Sequence, residues 1–314
     1  MNRWLYILFF AGLLLIACES DRAFNESFPP QKLVLFAFVE PDSTVQVQLG
    51  KTFHSEWENS ALEEVSGEVF INGRQEGVLV MEGHNRYYAE VRPKPGDRVK
   101  IVARAKGLPE AVGETTLPMA GIPLVVDTTL VGPKNKLNRV FYTIHIDDKA
   151  SERHYYRLLI RTETYTQIGD RITGLYDQYT YDTENDPLLG GRDEAWLNRD
   201  DPNAFKIFTN ERFEGKGYTM RVSAAAWNTY EMTYDAVVQW EVVNQHVKLI
   251  RIDEDSYLYF KSLMLSDRGE GIIEPVQVHS NVQGGVGIVG YAYATTVSFR
   301  MPVAVFDTDG SIYY

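Results

Sequence analysis

The sequence predicts an all-β protein: an N-terminal immunoglobulin-like β-sandwich followed by a second β-rich domain, sandwich-like or barrel-like, with one short helix. Three observations support this fold class. Short β-branched or aromatic segments are separated by turn signals such as Asn72-Gly73. Residues 44–49 alternate apolar and polar side chains, which is typical of a half-buried strand. Convincing helical periodicity is found in one place, residues 253–266.

The composition excludes several classes of protein. The chain has 314 residues, of which 44% are hydrophobic and 24% are charged, so a disordered chain is excluded. The formal net charge of -12 argues against a nucleic-acid partner, because affinity for phosphate comes mainly from Lys and Arg. The chain has one cysteine, Cys18, which cannot form an internal disulfide or a thiolate zinc site by itself.

The first 17 residues have the pattern of a lipoprotein signal peptide. Arg3 precedes an apolar run over residues 5–16, and about 12 residues are too few for the roughly 20 of a membrane-spanning helix. Leu15-Ile16-Ala17-Cys18 is similar to the lipobox of bacterial lipoproteins, whose cysteine carries a diacylglycerol and an N-acyl chain. The sequence therefore predicts Cys18 as the lipidation site, residues 18–31 as the lipidated cysteine and tether, and no cofactor besides the covalent lipid. A retained anchor and a buried free cysteine are the weaker alternatives.

Residues 32–118 are predicted to form the immunoglobulin-like sandwich. About seven strands in about 87 residues match the strand density of such a domain, although the Trp and the cysteine pair of true immunoglobulin domains are missing. The predicted strands are residues 32–39, 44–49, 66–71, 87–91 and 99–105, with 77–81 and 112–117 as weaker candidates.

Residues 119–314 are predicted to form the second domain, after a boundary placed in the proline-rich segment 118–133. Its predicted strands are residues 140–146, 155–161, 217–226, 237–252 and 291–301. For the helix, Asp253 is a suitable N-cap, and Glu254 suits the positive end of the helix dipole.

Residues 163–202 form a long polar insertion in this domain, rich in acids and tyrosines. Long irregular segments are usually functional or mobile. One interpretation is a partner-facing insertion with Tyr176, Tyr179, Tyr181 and Trp196 as contact residues for a ligand or partner. The other is a solvated hairpin extension whose aromatic residues fold back onto their own domain. Both interpretations stay open at this point.

Two segments match cofactor or metal motifs in part, and each match fails on its context. Gly285, Gly287 and Gly290 fit the dinucleotide-binding pattern G-x-G-x-x-G, but the residues after them indicate a strand where the motif needs a helix. We therefore interpret these glycines as packing and turn residues. Asp182, Glu184 and Asp186 alternate like the start of an EF-hand loop, but Pro187 stands where the loop needs Gly. A looser calcium site remains an alternative, and no metal ligands are predicted.

Catalytic signatures are also missing. The sequence contains no G-x-S-x-G elbow, no H-E-x-x-H pair and no P-loop, and its six histidines are scattered. A β-sandwich hydrolase would need only two carboxylates brought together by the fold, but nothing in the sequence nominates the pair. We predict no catalytic residues and a protein that is not an enzyme.

Four regions of the chain resemble the domain of unknown function 4249 (DUF4249) family of Bacteroidota lipoproteins. They are LIACES, KLVLFAFVEPDSTVQVQLGKT, HYYRLLIR, and VKLIRIDEDSYLYFKSL with the following EPVQVHSNVQGGVGIVGYAYA. The acidic residues around Ser20 also resemble an export signal for the outer face of the outer membrane. The resemblance implies a lipid-anchored, surface-exposed protein that accompanies a TonB-dependent transporter, and it supplies no catalytic residues.

These expectations lead to one principal hypothesis about function. The protein would be a non-enzymatic, surface-exposed outer-membrane lipoprotein that serves as an accessory or binding subunit of a TonB-dependent transporter or another outer-membrane complex. The alternative is a stand-alone glycan- or peptide-binding lipoprotein that uses Trp196, Tyr179 and Tyr181. A hydrolase is the least favoured reading.

Overall fold

The computed structural model describes residues 29–53, 61–131, 138–148, 152–178, 186–189, 203–226, 229–234, 237–266, 277–301, 305–306 and 312–313. One unit runs from Lys32 to Tyr314, and residues 29–31 belong to the segment before it. The strands are β1 Leu33–Val39, β2 Val45–Lys51, β3 Ser66–Ile71, β4 Arg74–Val78, β5 Val80–Gly83, β6 Arg86–Ala89, β7 Arg98–Arg104, β8 Ala111–Thr116, β9 Leu124–Val131, β10 Asn138–Ile146, β11 Tyr155–Ile168, β12 Arg171–Gln178, β13 Ile207–Thr209, β14 Tyr218–Ala226, β15 Tyr230–Tyr234, β16 Val237–Ile252, β17 Val286–Arg300, β18 Val305–Phe306 and β19 Ile312–Tyr313. The predicted all-β class is confirmed, and the helix over the described residues is α1 Glu254–Ser266.

The first core lies between two sheets. The four-stranded sheet β4-β3-β7-β8 faces the β17-β1-β2-β6-β5 part of a ten-stranded sheet. Strands β1 and β2 alternate buried and less buried residues, as their sequence predicts, so Leu35 and Val47 enter the core beside Val69 and Ile101. Each such side chain contributes about 1.5–3 kcal/mol on burial, which makes this alternation the main determinant of register.

The second core lies between the three-stranded sheet β14-β10-β9 and the other end of the ten-stranded sheet. Ile144 of β10 and Met220 of β14 are buried with Leu158 of β11 and Val247 of β16. Strands β11 and β16 are long antiparallel partners, paired from Tyr155 to Gln167. This pairing extends the sheet from the second core to the β11–β12 hairpin.

Strand β17 connects the part of the ten-stranded sheet that covers the first core to the part that covers the second core. Its residues 286–291 pair in parallel with β1, and its residues 292–300 pair antiparallel with β16. The ten-stranded sheet is therefore continuous across the boundary predicted near residue 118, and Val289 from the predicted second domain is buried in the first core. The division into two domains stays a prediction.

Several strands differ from the sequence prediction: the candidate at 77–81 is divided between β4 and β5, and β12, β13, β15, β18 and β19 were not predicted. Two further differences have a local reason. Strand β9 lies inside the proline-rich segment 118–133, and it is tolerated there because Pro123 comes just before the strand and no proline lies within its ladder. Strand β17 begins at Val286 and not at residue 291, because two glycines within it hide the usual strand composition. The helix predicted over 253–266 is observed at Glu254–Ser266.

Candidate functional site

The insertion predicted at residues 163–202 begins as an antiparallel hairpin. Strands β11 and β12 pair from Thr162 to Ile168, with a register shift after Thr164 that coincides with the positive φ of Gly174. Among the described strands, β12 lies at the end of the ten-stranded sheet. An edge strand presents unpaired backbone N–H and C=O groups, so β12 is available for pairing with another chain.

The end of this hairpin carries exposed apolar side chains. We call Ile168, Ile172, Leu175 and Tyr176 the hairpin tip; Leu175 is 64% exposed and Tyr176 is 62% exposed. The hairpin geometry agrees with the interpretation of the insertion as a hairpin extension. The exposure of Tyr176 agrees with the interpretation of the insertion as partner-facing. The register places Ile168 and Tyr176 on one face of the hairpin and Ile172 on the other. Exposed apolar residues that lie close together mark interaction sites more often than isolated ones do.

The remaining predicted contact and modification residues belong to other parts of the sequence. Tyr179, Tyr181 and Trp196, together with the lipidation site Cys18, lie outside the described residues. Tyr176 is therefore the predicted contact residue whose position is known. Within the described part of the chain, no helix is long and apolar enough to cross a membrane.

A polar cluster lies where the hairpin joins the sheet. Glu163 accepts hydrogen bonds from Asn244 Nδ2 at 3.1 Å and from Arg161 Nη2 at 2.6 Å, while His246 Nε2 lies 3.6 Å from its carboxylate. The Asn244 hydrogen bond is the largest influence lowering the pKa of Glu163, and the charges of Arg161 and His246 add to it against the opposing effect of burial. The cluster attaches the hairpin to β16.

We expect Glu163→Gln to change the acid limb of the stability profile. The pKa of Glu163 lies below its ordinary value of 4.5, so the stabilisation is present above that pH and is lost as pH falls through the folded-state pKa. The variant should lose stability at pH 7 and should show a flatter decline as the pH falls below about 4.5. Thermal unfolding at a series of pH values measures this.

Glu114→Gln is the matched control for this prediction. Its carboxylate forms an exposed ion pair with Arg98, and such pairs contribute about 0–1 kcal/mol. If the stability of Glu163→Gln and of the unaltered protein fell equally with decreasing pH, Glu163 would not contribute to stability in the way proposed here.

A second polar cluster is buried between β11 and the segment before it. His154 Nδ1 lies 3.0 Å from both carboxylate oxygens of Asp148, and its Nε2 lies 3.0 Å from Glu152 Oε1. Tyr156 donates its hydroxyl to Asp148, and burial raises the pKa of this phenol. The side chain of Asn210 donates to Asp148 at 3.0 Å and accepts a hydrogen bond from the backbone N–H of His154 at 2.9 Å. A catalytic triad needs a nucleophile at the second ring nitrogen, whereas here Glu152 occupies it.

Asp186 belongs to the calcium-like alternation, and the structure gives it another task. It is buried and accepts hydrogen bonds from the Tyr218 hydroxyl at 3.0 Å and from the N–H groups of Leu188 at 2.9 Å and Arg221 at 3.0 Å. Burial, followed by the charge of Asp186, raises the pKa of Tyr218. Asp182 and Glu184 lie outside the described residues.

Both carboxylate oxygens of Asp186 accept hydrogen bonds from these three protein donors. Within the described ranges, no group of His, Cys, Asp or Glu side chains is arranged to hold a metal ion. The hydrogen bonds identify Asp186 as a residue that fixes the short segment 186–189 to β14.

The glycine motif is a packing feature, as the sequence interpretation proposes. Gly287 has φ +123°, and a Cβ atom there would lie 2.1 Å from the Leu35 carbonyl oxygen. A Cβ atom at Gly290 would lie 1.9 Å from Ser256 Oγ. Both glycines lie within β17 and not at a helix N-terminus, so the structural context of a dinucleotide site is missing.

Asp253 joins three elements at this packing point. It caps α1 by accepting the Ser256 N–H at 2.9 Å, and it also accepts from Thr115 Oγ1 of β8 at 2.6 Å and from the Tyr291 N–H of β17 at 3.2 Å. Burial raises the pKa of Asp253, and these hydrogen bonds oppose that effect. Asn281 adds a second connection, because its side chain exchanges hydrogen bonds with the backbone of Val289.

Comparison with known protein families shows which family the chain belongs to. A family model described as Domain of unknown function (DUF4249) matches residues 20–298. The chain belongs to the DUF4249 family. The match covers strands β1 to β16, α1 and most of β17, whereas β18 and β19 lie beyond it. A search of curated proteins finds no match to this chain.

Proposed function

We propose that this DUF4249 protein is a non-enzymatic, lipid-anchored subunit that contacts an outer-membrane β-barrel, either a TonB-dependent transporter or another outer-membrane complex, at the cell surface. The observation that carries the proposal is the hairpin tip, an exposed apolar group at the edge of the ten-stranded sheet. The lipobox-like sequence ending at Cys18 supplies the anchor.

The anchor accounts for localisation without a spanning segment. About 0.8 kcal/mol per buried methylene means that a diacylglycerol plus an N-acyl chain on Cys18 would hold the protein on a bilayer durably. The net charge of -12 would keep the protein surface itself away from anionic lipid. The lipid, and not the protein surface, would therefore provide the membrane attachment.

The hairpin tip accounts for contact with a protein partner. Strand β12 can accept a partner strand through the backbone edge that no other described strand occupies, and its neighbouring side chains supply the apolar contacts that such pairing needs. Tyr176 suits the centre of an interface, because tyrosine gives a large contact area with few rotatable bonds. A β-barrel offers strands and surface loops as partners for this edge.

The polar clusters support the non-enzymatic part of the proposal. His154 has both ring nitrogens occupied by carboxylates, and Asp186 has its oxygens occupied by protein donors. Both clusters hold loop segments onto strands. Each therefore has a structural explanation that requires no substrate.

The double variant Leu175→Ser/Tyr176→Ser tests the proposal. The full-length, lipidated protein is purified from its native membrane in mild detergent through an affinity tag, and co-purifying β-barrel protein is measured by quantitative mass spectrometry. We expect a β-barrel at a fixed ratio with the unaltered protein and at least a tenfold lower ratio with the variant, since loss of a central aromatic contact costs about 2 kcal/mol or more.

Val78→Ser/Met81→Ser is the matched control, because it removes two exposed apolar side chains, one from β4 in the four-stranded sheet and one from β5 at the opposite end of the ten-stranded sheet from β12. This control should recover the β-barrel as the unaltered protein does. Recovery of the unaltered lipoprotein alone, or equal losses in both double variants, would contradict the proposed contact.

A further inference from the structure

A groove of about 250 Å³ opens on the face of the ten-stranded sheet that is turned away from the first core. Strand β1 contributes Phe36 and Phe38, β2 contributes Gln46 and Gln48, and β6 contributes Arg86. These side chains alternate along their strands with core residues such as Leu35, so the strand period itself assembles the groove. Its volume lies just below the usual range of small-ligand sites, about 300–1,000 Å³.

The aromatic wall of the groove is held in place by α1. Phe36 and Phe38 meet edge to face with their ring centroids 5.0 Å apart. Phe36 also contacts Tyr259 at 5.7 Å, and Phe38 stacks on Phe260 at 5.4 Å. Rings fixed in this way need little further ordering when a ligand packs on them, which favours binding.

The opposite wall of the groove is polar, and its charge is uncompensated. The Arg86 side chain is exposed, and its guanidinium makes no hydrogen bond or ion pair with any part of the chain that the structure describes. Strand register places Gln48 between Phe36 and Arg86, at one strand spacing of about 4.8 Å from each. A ligand about 10 Å long would therefore meet a ring, an amide and a guanidinium in sequence.

We propose that this groove binds an acidic saccharide. A sugar ring packs its C–H face on the Phe36–Phe38 wall, its hydroxyls exchange hydrogen bonds with the amides of Gln46 and Gln48, and its carboxylate or sulfate pairs with Arg86. An uncompensated guanidinium in a chain of net charge -12 selects an anionic ligand at this point.

A saccharide fits the groove better than a peptide does. The backbone groups of β1 and β2 beneath the groove are engaged in ladders with β17, β6 and each other. A peptide bound on this face would leave its own N–H and C=O groups without main-chain partners, whereas strand addition requires a sheet edge. Hydroxyl groups match the donor and acceptor pairs of two glutamine amides.

Isothermal titration calorimetry of the full-length protein in detergent tests this site with four probes: trigalacturonate, a sulfated galactose trisaccharide, neutral galactotriose and an acidic hexapeptide. We expect at least one charged saccharide to bind, with affinity at least tenfold above that of galactotriose. Arg86→Gln should lower the affinity for the charged probe at least tenfold, and Gln48→Ala should lower it severalfold. Comparison of the first two probes distinguishes a carboxylate from a sulfate as the anionic group.

Arg74→Gln is the matched control, since Arg74 lies outside the groove and its ion pair with Glu76 is exposed. It should leave the affinity unchanged. Binding of neither charged saccharide, preferential binding of the peptide, or equal affinity in Arg86→Gln would overturn the proposal. The hairpin tip plays no part in this experiment, so its outcome is independent of the proposed transporter contact.

Discussion

Replacement of Gly287 by alanine is expected to lower the free energy of unfolding by about 3–4 kcal/mol, a large share of the roughly 5–15 kcal/mol that is typical of a folded protein. The backbone of Gly287 has φ +123°, and the added Cβ atom would lie 2.1 Å from the Leu35 carbonyl oxygen. The nearest atoms belong to the backbone of Leu35, a buried strand residue. The collision therefore cannot be relieved by moving a flexible side chain. Strand β17 would have to separate from β1, where it joins the first core.

Gly50→Ala is the matched control for this substitution. Gly50 lies in β2, adjacent to β1, and a Cβ atom there would meet Val34 at 3.7 Å, an ordinary van der Waals distance. We expect a change within about 0.5 kcal/mol. Chemical denaturation of both variants gives the two free energies, and a cost below about 1 kcal/mol for Gly287→Ala would show that the close approach to Leu35 is not required.

Replacement of Asp148 by alanine is expected to lower the free energy of unfolding by about 3–5 kcal/mol. Asp148 is 2% exposed and accepts hydrogen bonds from His154, Tyr156 and Asn210. Removing its carboxylate leaves these buried donors without their acceptor, and the desolvation cost of each is then uncompensated. The segment around Asn210 should also lose its attachment to β11.

Asp127→Ala removes a comparable contact at the surface. Asp127 Oδ2 lies 3.1 Å from His145 Nε2, and both side chains are exposed. We expect this variant to lose about 0–1 kcal/mol. Denaturation of the two variants under the same conditions separates burial from the histidine–carboxylate contact itself, and equal costs would count against the structural role given to Asp148.

Much of the fold could be predicted because the responsible signals are local. Alternation in β2 identified which side chains enter the first core, and Asp253 identified the start of α1. The same alternation put Gln46 and Gln48 on the outer face. The two phenylalanines of β1 leave no polar face on that strand, and in the structure they pack against α1.

The polar clusters could not be predicted, because their members are distant in sequence. Asp148 meets Asn210 across 62 positions, and Asp253 meets Thr115 across 138. No spacing rule relates such residues. The first part of β17, residues 286–290, was missed for a similar reason, since its pairing with β1 depends on glycines that admit the partner backbone.

Site-specific photo-crosslinking in living cells tests the proposed function most directly. A photoreactive phenylalanine analogue is placed at Tyr176 in the hairpin tip and, in a separate strain, at exposed Val125 of β9 as the control. Each crosslinked product is identified by mass spectrometry. The account predicts a crosslink from position 176 to an outer-membrane β-barrel protein and none to that protein from position 125. A crosslink to the barrel from both positions, or from neither, would contradict the assignment of the hairpin tip as the contact surface.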